Sequence, residues 1–193
     1  YADMDGVSAY RSALRLAEEG VLIGEQVGGT YYFHPDALVS RDQFVALAMH
    51  TVGLEALEGV TITGFADDAA IPTWAKGYVS SALKSGLVQG TVSEAGVVFE
   101  GERPITKAEA SVLLDRMLQV TDASVTTLFP DLDTTPAWAY QAAVNLETVG
   151  VLQTAADGSL GLSDTLTRAD AADMLCGALE LLEAREANGW LPW

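Results

Sequence analysis

Thr106-Lys107-Ala108-Glu109 recurs twice in altered form, as Ser40-Arg41-Asp42-Gln43 and as Thr167-Arg168-Ala169-Asp170. Each quartet opens on a hydroxyl residue that can accept a hydrogen bond from the amide three positions on. Each closes on Glu, Gln or Asp, whose side chain can reach back to the first amide. The pattern is a capping box. Apolar runs follow at once (Phe44-Val45-Ala46-Leu47-Ala48, Val112-Leu113-Leu114 and Met174-Leu175), so each quartet predicts the first turn of a helix, with Ser40, Thr106 and Thr167 as N-caps. The second position is basic every time: Arg41, Lys107 and Arg168. The positive end of the helix dipole disfavours a cation in the first turn by about 0.3–1 kcal/mol. Helix physics alone does not select these residues.

The quartets fall in phase with a second pattern. Tyr1-Ala2-Asp3, Phe65-Ala66-Asp67 and Phe129-Pro130-Asp131 start 64 residues apart, an internal repeat. Nine residues after the start of the second and third copies comes Trp-Ala, as Trp74-Ala75 and Trp138-Ala139, following Pro72 and Pro136. In the first copy the loop before that place is two residues shorter, and Ser8 stands there. Apolar residues then recur at helical spacing up to Gly20, Gly86 and Gly150, which read as C-terminal stops. Phe33, Phe99 and Leu160 each stand seven residues before a cap. The repeat is short helix, loop, capped helix, and the predicted fold class is all-α. Repeats are expected over 1–54, 65–120 and 129–182, forming one domain with a C-terminal tail over 183–193. Linkers are expected near Leu54–Gly64 and Leu118–Leu128, and Trp190 and Trp193 of the tail either dock on the core or belong to a following segment.

A chain of 193 residues buries about 70% of the surface of its unfolded form, so a self-sufficient core is expected. The single cysteine, Cys176, excludes an internal disulfide and sits in an apolar run, where a buried small side chain is expected rather than a nucleophile. No run is long and apolar enough to cross a bilayer, and no leader precedes Tyr1; a soluble excised or processed piece is expected. The formal net charge of −17, from 10 Lys+Arg against 27 Asp+Glu, argues against nucleic acid as a partner. A local basic pocket can still hold an anion, because charges beyond about 8–10 Å are screened.

Taken together, these residues resemble the S-layer homology family: an aromatic-x-Asp opening, Trp-Ala on the first helix, a Gly stop, an aromatic in the loop and a quartet close to Thr-Arg-Ala-Glu. The resemblance covers Tyr1 to about Leu182 in three copies. It implies a pseudo-threefold arrangement around a central three-helix bundle, with grooves between neighbouring repeats that bind secondary cell-wall polymers, often pyruvylated and anionic. It implies an extracellular address on the bacterial cell wall, and leaves self-assembly to the rest of the parent protein. The basic residue of the quartet contacts the saccharide in the family, which carries over to Arg41, Lys107 and Arg168.

The remaining candidates divide between ligand and structure. Trp74 and Trp138 offer faces for sugar stacking, or else fill the core, where an aromatic on the apolar side of a short helix is usually found. Asp67 and Asp131 count as glycan-binding candidates, or else, with Asp3, cap the following turn through Asx-type bonds. A helix N-terminus with free amides beside a cation is a ready anion site. Neither Asp131-Leu132-Asp133 nor Asp157-Gly158-Ser159 fits the twelve-residue calcium loop, and His34 and His50 show no metal-ligand spacing, so neither metal nor cofactor is expected. The first reading is a non-catalytic carbohydrate-binding anchor. The second is a protein–protein or assembly module that keeps the scaffold without glycan affinity. An enzyme comes third, with no nucleophile–base set or paired acids to support it.

Overall fold

The computed structural model describes residues 1–124 and 129–189; the expected end of the second linker at 125–128 and the tail residues Trp190 and Trp193 lie outside the described residues. Six α-helices occur among the described residues: α1 (Tyr10–Glu18), α2 (Arg41–Thr51), α3 (Thr73–Lys84), α4 (Lys107–Leu118), α5 (Ala137–Thr148) and α6 (Arg168–Ala187). Thr106 and Thr167 sit at N-caps and accept from the amides of Glu109 and Asp170 at 3.2 and 3.1 Å, while those acids accept the cap amides in return. Ser40 caps α2 with a variant. Gln43 accepts the Ser40 amide at 3.1 Å, whereas the buried Asp42 takes the Gln43 amide at 2.7 Å and the Ser40 hydroxyl.

Short helices α1, α3 and α5 end where Gly20, Gly86 and Gly150 adopt φ of 71°, 71° and 79°, which a β-carbon would oppose. In the first two loops the chain forms antiparallel hairpins, β1 (Glu25–Val27) with β2 (Thr30–Tyr32) and β3 (Thr91–Ser93) with β4 (Gly96–Val98). These were not expected from an all-α pattern. Each strand has only three residues, too short for an alternation to register. The third loop instead closes with an Ala155 amide bond to the Ser159 carbonyl at 2.8 Å.

Each capped helix continues, through its first amides, into the neighbouring unit. The Arg41 and Asp42 amides donate to the Arg103 and Gly101 carbonyls; those of Lys107 and Ala108 to Asp164 and Leu162; those of Arg168 and Ala169 to Ala37 and Pro35. A tighter ring lies inside this one. Val39 donates to Leu166, Leu166 to Ile105, and Ile105 back to Val39, at 3.0, 2.8 and 3.0 Å. Three backbone bonds running one way round a closed circuit are what a pseudo-threefold axis requires. Around it α2 contacts both α4 and α6, and each short helix packs on the capped helix of a neighbour: α3 on α2, α5 on α4, α1 on α6. A single apolar cluster runs from Met4 to Ala178.

Two expectations change. The helix α6 continues past 183 to Ala187, because Leu181-Leu182-Glu183-Ala184-Arg185-Glu186-Ala187 consists of strong helix formers with no glycine before Gly189. It is fastened there by Glu183, which pairs with Arg15 at 2.5 Å, and by Arg185, which donates to the Leu118 carbonyl at 2.6 Å.

The three aspartates of the aromatic-x-Asp pattern do not cap the turn that follows them. Asp67 begins a 3-10 turn with no side-chain cap bond, and its carboxylate instead accepts the amides of Phe99 and Glu100, both at 2.8 Å. Asp3 takes Phe33 and His34 at 2.8 and 2.6 Å, and Asp131 takes Leu160 and Gly161 at 3.0 and 2.8 Å. The second residue of each pair is left-handed, with φ of 59° at His34, 58° at Glu100 and 62° at Gly161. Two of these carry side chains, so the loop needs help to hold a conformation that non-glycine residues rarely adopt. A carboxylate accepting two adjacent amides supplies it. Asp67→Ala leaves both amides without that partner and is expected to cost about 1–3 kcal/mol in a urea melt; a loss below 0.5 kcal/mol would remove the aspartate from the account of the loop.

Candidate functional site

The basic residues that open the capped helices lie over the loops of the next unit in the ring. Arg41 Nη2 donates to the Gln89 carbonyl at 3.1 Å, and its guanidinium carbon sits 5.0 Å from the centre of the Phe99 ring. Arg168 repeats this on the first unit. Its Nη2 reaches the Ile23 carbonyl at 3.3 Å, its Nε the Phe33 carbonyl at 2.7 Å, and its guanidinium carbon lies 4.8 Å from the Phe33 ring centre. Phe33 and Phe99 are in turn fixed by Tyr1 and Phe65, with ring centroids 5.3 and 5.5 Å apart. The third junction is different in kind. Leu160 replaces the ring, and Lys107 replaces arginine; it pairs with Asp170 at 3.0 Å. Where no π face is offered, the planar cation is absent too.

The charge of the three junctions also differs. Around Arg41, a cavity of about 220 Å³ is lined by Arg41, Arg103, Arg116, Glu109 and Trp138 over an apolar floor that includes Val112 and Leu113. Glu109 Oε1 accepts from Arg41 Nη1 at 3.2 Å and Arg103 Nη2 at 2.5 Å, while Oε2 takes Arg103 Nη1 at 2.8 Å. Burial alone would raise the Glu109 pKa, but the Arg103 hydrogen bond, the Thr106 amide and the two arginine charges outweigh it and hold the group below the usual carboxylate range. Burial pushes the Arg41 guanidinium down against the pull of Glu109, and Arg41 Nε is buried without a hydrogen-bond partner among the described residues. One carboxylate thus serves two arginines, of which Arg103 also pairs with Glu100 at 3.5 Å, while Arg116 donates to the Leu87 carbonyl at 3.2 Å.

Around Lys107 the balance reverses. Asp170 pairs with the amine, and Asp164 Oδ2 and the amine both border Gly161. Asp173, one turn beyond Asp170, is pushed up by burial and accepts the Ser12 hydroxyl at 2.6 Å. Arg168 has no carboxylate within ion-pair distance among the described residues, because the first unit places Gln43 where the others place Glu109 and Asp170. Burial lowers its pKa, with the Tyr1 and Asp3 charges opposing.

Both tryptophans of the short helices are solvent-facing, Trp74 at 53% and Trp138 at 63% exposure, so the core reading of these residues does not hold. They stand at the second position of α3 and α5, outside the apolar stripe that buries Ala75, Val79 and Ala82 or Ala139, Ala143 and Leu146. Trp138 lines the Arg41 cavity, and Trp74 does not. The free helix amides expected beside the cations are not free either. The first two of each capped helix are given to the neighbouring unit and the third to a cap or Asp42, so an anion here would be held by side chains. Asp67 and Asp131 have their carboxylates engaged by loop amides. No group of three or more His, Cys, Asp or Glu among the described residues is arranged to hold a metal ion, and no described helix is long and apolar enough to cross a membrane.

The S-layer homology domain matches residues 1–45 and 64–111, the segments that carry the first two aromatic-x-Asp openings, loops and capped quartets. The chain belongs to the S-layer homology family. Similar proteins include an amylopullulanase of Thermoanaerobacterium thermosulfurigenes, 27% identical over 62% of this chain and 6% of its own length. Exoglucanase XynX of Acetivibrio thermocellus is 26% identical over 62% of this chain and 11% of its own. The surface-layer 125 kDa protein of Lysinibacillus sphaericus is 26% identical over 60% and 9%. The matched segment is therefore a small part of each of these relatives. Within this S-layer homology chain, Arg103 and Arg116 are the cavity residues that sequence reasoning missed. Arg103 precedes the cap, and Arg116 falls in the last turn of α4, where the helix dipole already accounts for a cation. The signal available was their number: with Arg41 they are three of only 10 Lys+Arg.

Proposed function

We propose that this chain is a non-catalytic anchor that binds an acidic secondary cell-wall polysaccharide and so holds a bacterial surface protein outside the cell, on the wall. The observation that carries this reading is the Arg41 cavity. On a protein of net charge −17, three arginines line one groove between units beside an exposed tryptophan, with Glu109 in the lining and Glu100 pairing with Arg103 from outside it. Cations in a fixed fork suit a carboxylate, and an exposed indole suits the apolar face of a sugar ring. The repeats at 1–54, 65–120 and 129–182 act as one domain in this reading, and the Asp131 clamp and Thr167 cap, which repeat those of the other units, support counting the third with them. The groove needs no cofactor, and neither nucleic acid nor membrane is its partner. Relatives named as two enzymes and a surface-layer protein share the segment, as expected of a module carried by different parents.

Purified cell walls should retain the protein, and walls stripped of their secondary polymer should not. Arg41→Ala, which removes one charge-assisted contact of about 1.5–3 kcal/mol, should weaken retention about tenfold to a hundredfold. Equal retention by stripped walls would end the glycan reading and favour an assembly module on the same scaffold.

A further inference from the structure

A capping box needs an acceptor at its last position, and an acid there competes for the cation that crosses from the preceding unit. The three junctions differ in how that competition ends. At the Lys107 junction the acceptor is Asp170, which takes the amine at 3.0 Å. At the Arg168 junction it is the neutral Gln43, which offers no carboxylate. At the Arg41 junction it is again an acid, Glu109. Yet Arg41 Nη1 reaches only its Oε1, at 3.2 Å, and Arg103 Nη2 already holds that oxygen at 2.5 Å. Arg103 Nη1 takes the other oxygen at 2.8 Å, and Arg103 Nε lies 3.5 Å from Glu100, so Arg103 is itself spent on protein carboxylates. The residue three before the cap is Ala37 in the first unit and Asp164 in the third, so neither carries such a fork there. Arg41 is left with the Gln89 carbonyl at 3.1 Å and a buried Nε that has no hydrogen-bond partner among the described residues. Burial lowers its pKa against the pull of Glu109 and Glu100.

Resting on the glycan reading above, we propose that Arg103 is a positioning residue for the acidic saccharide: by holding both oxygens of Glu109 it keeps that carboxylate from closing on Arg41, and so leaves Arg41 to the ligand. Without the fork of Arg103, the Arg41 junction becomes a copy of the Lys107 junction, where the capping acid consumes the cation. Without the acid, it becomes a copy of the Arg168 junction, where no fork is needed.

The test uses the full chain and a pyruvylated wall disaccharide with one ketal carboxylate. Binding is followed at the Trp138 indole N–H in heteronuclear NMR spectra, because Trp138 lines this groove. Arg103→Gln should weaken binding about tenfold or more, since the saccharide must then displace a charge-assisted bond between Glu109 and Arg41. Glu109→Gln keeps an oxygen for the Thr106 amide. It should gain less than about twofold in the parent protein, yet bring the Arg103→Gln protein back to within about twofold of the parent. A merely structural loss at Arg103 is not cured by a change at Glu109. Arg103→Lys, which keeps the charge but cannot fork, should lose less and be restored in the same way, and it carries the test if Arg103→Gln does not fold. Equal gains from Glu109→Gln in the two backgrounds, or no restoration, mean that Arg103 meets the saccharide itself, and overturn the proposal while the anchor reading stands. A parent protein that does not bind the disaccharide overturns the two together.

Discussion

A chain beginning at Phe65 and ending at Trp193 is expected to be unfolded or aggregated, although it retains two complete helix-loop-helix units. Removing the first unit takes away Pro35, Ala37 and Val39, to which Ala169, Arg168 and Ile105 donate their amides, and opens the ring of three bonds about the axis. It also strips α2 from α3 and α1 from α6. Val79, Met174 and Leu175, now at most 3% exposed, would face water. Each forfeits about 1.5–3 kcal/mol, and their sum is of the order of the entire 5–15 kcal/mol of a typical domain. Repeat proteins of the open, solenoid kind survive such cuts, because each unit touches only its neighbours. A closed ring has no end to trim. Circular dichroism, gel filtration and a thermal melt of the fragment decide the matter: a monomeric, helical, cooperatively melting Phe65–Trp193 would mean that the first unit is dispensable.

What the sequence made legible follows from which interactions are local. Caps, glycine stops and the 64-residue period are written within a few neighbouring positions, so the helices could be placed. The Asp67 clamp links positions 32 and 33 residues apart, and its short-range alternative, an Asx turn, uses the same residue type. Nothing in the local pattern separates the two. The orientation of Trp138 is likewise set by the docking of α5 on α4, which a helical periodicity does not report. The basic residues were legible as anomalies, since the dipole opposes them, but their use was not. It took the ring to show that each one crosses to the next unit, the two arginines over Phe99 and Phe33 and Lys107 to Asp170, in the unit where Leu160 stands in place of the ring.

That correspondence between ring and guanidinium makes Phe99→Ala the point substitution with the largest expected effect. Phe99 is 1% exposed, packs against Phe65 with centroids 5.5 Å apart, and turns its face to Arg41. Truncation leaves a cavity under the groove and is expected to cost about 3–5 kcal/mol in a urea melt. Phe99→Leu separates packing from recognition, since it writes into the second unit what Leu160 already is in the third. Much of the volume stays, so the stability loss should be less than about 1.5 kcal/mol. The π face goes, and with it about 0.5–2 kcal/mol of cation–π attraction that holds the Arg41 guanidinium over the loop. Titration with an acidic wall saccharide should then show weaker binding by the folded Phe99→Leu protein, several-fold to about tenfold. A leucine variant that binds as tightly as the parent would mean that Gln89 and Glu109 suffice to aim Arg41, and that the paired loss of ring and arginine in the third unit reflects packing alone.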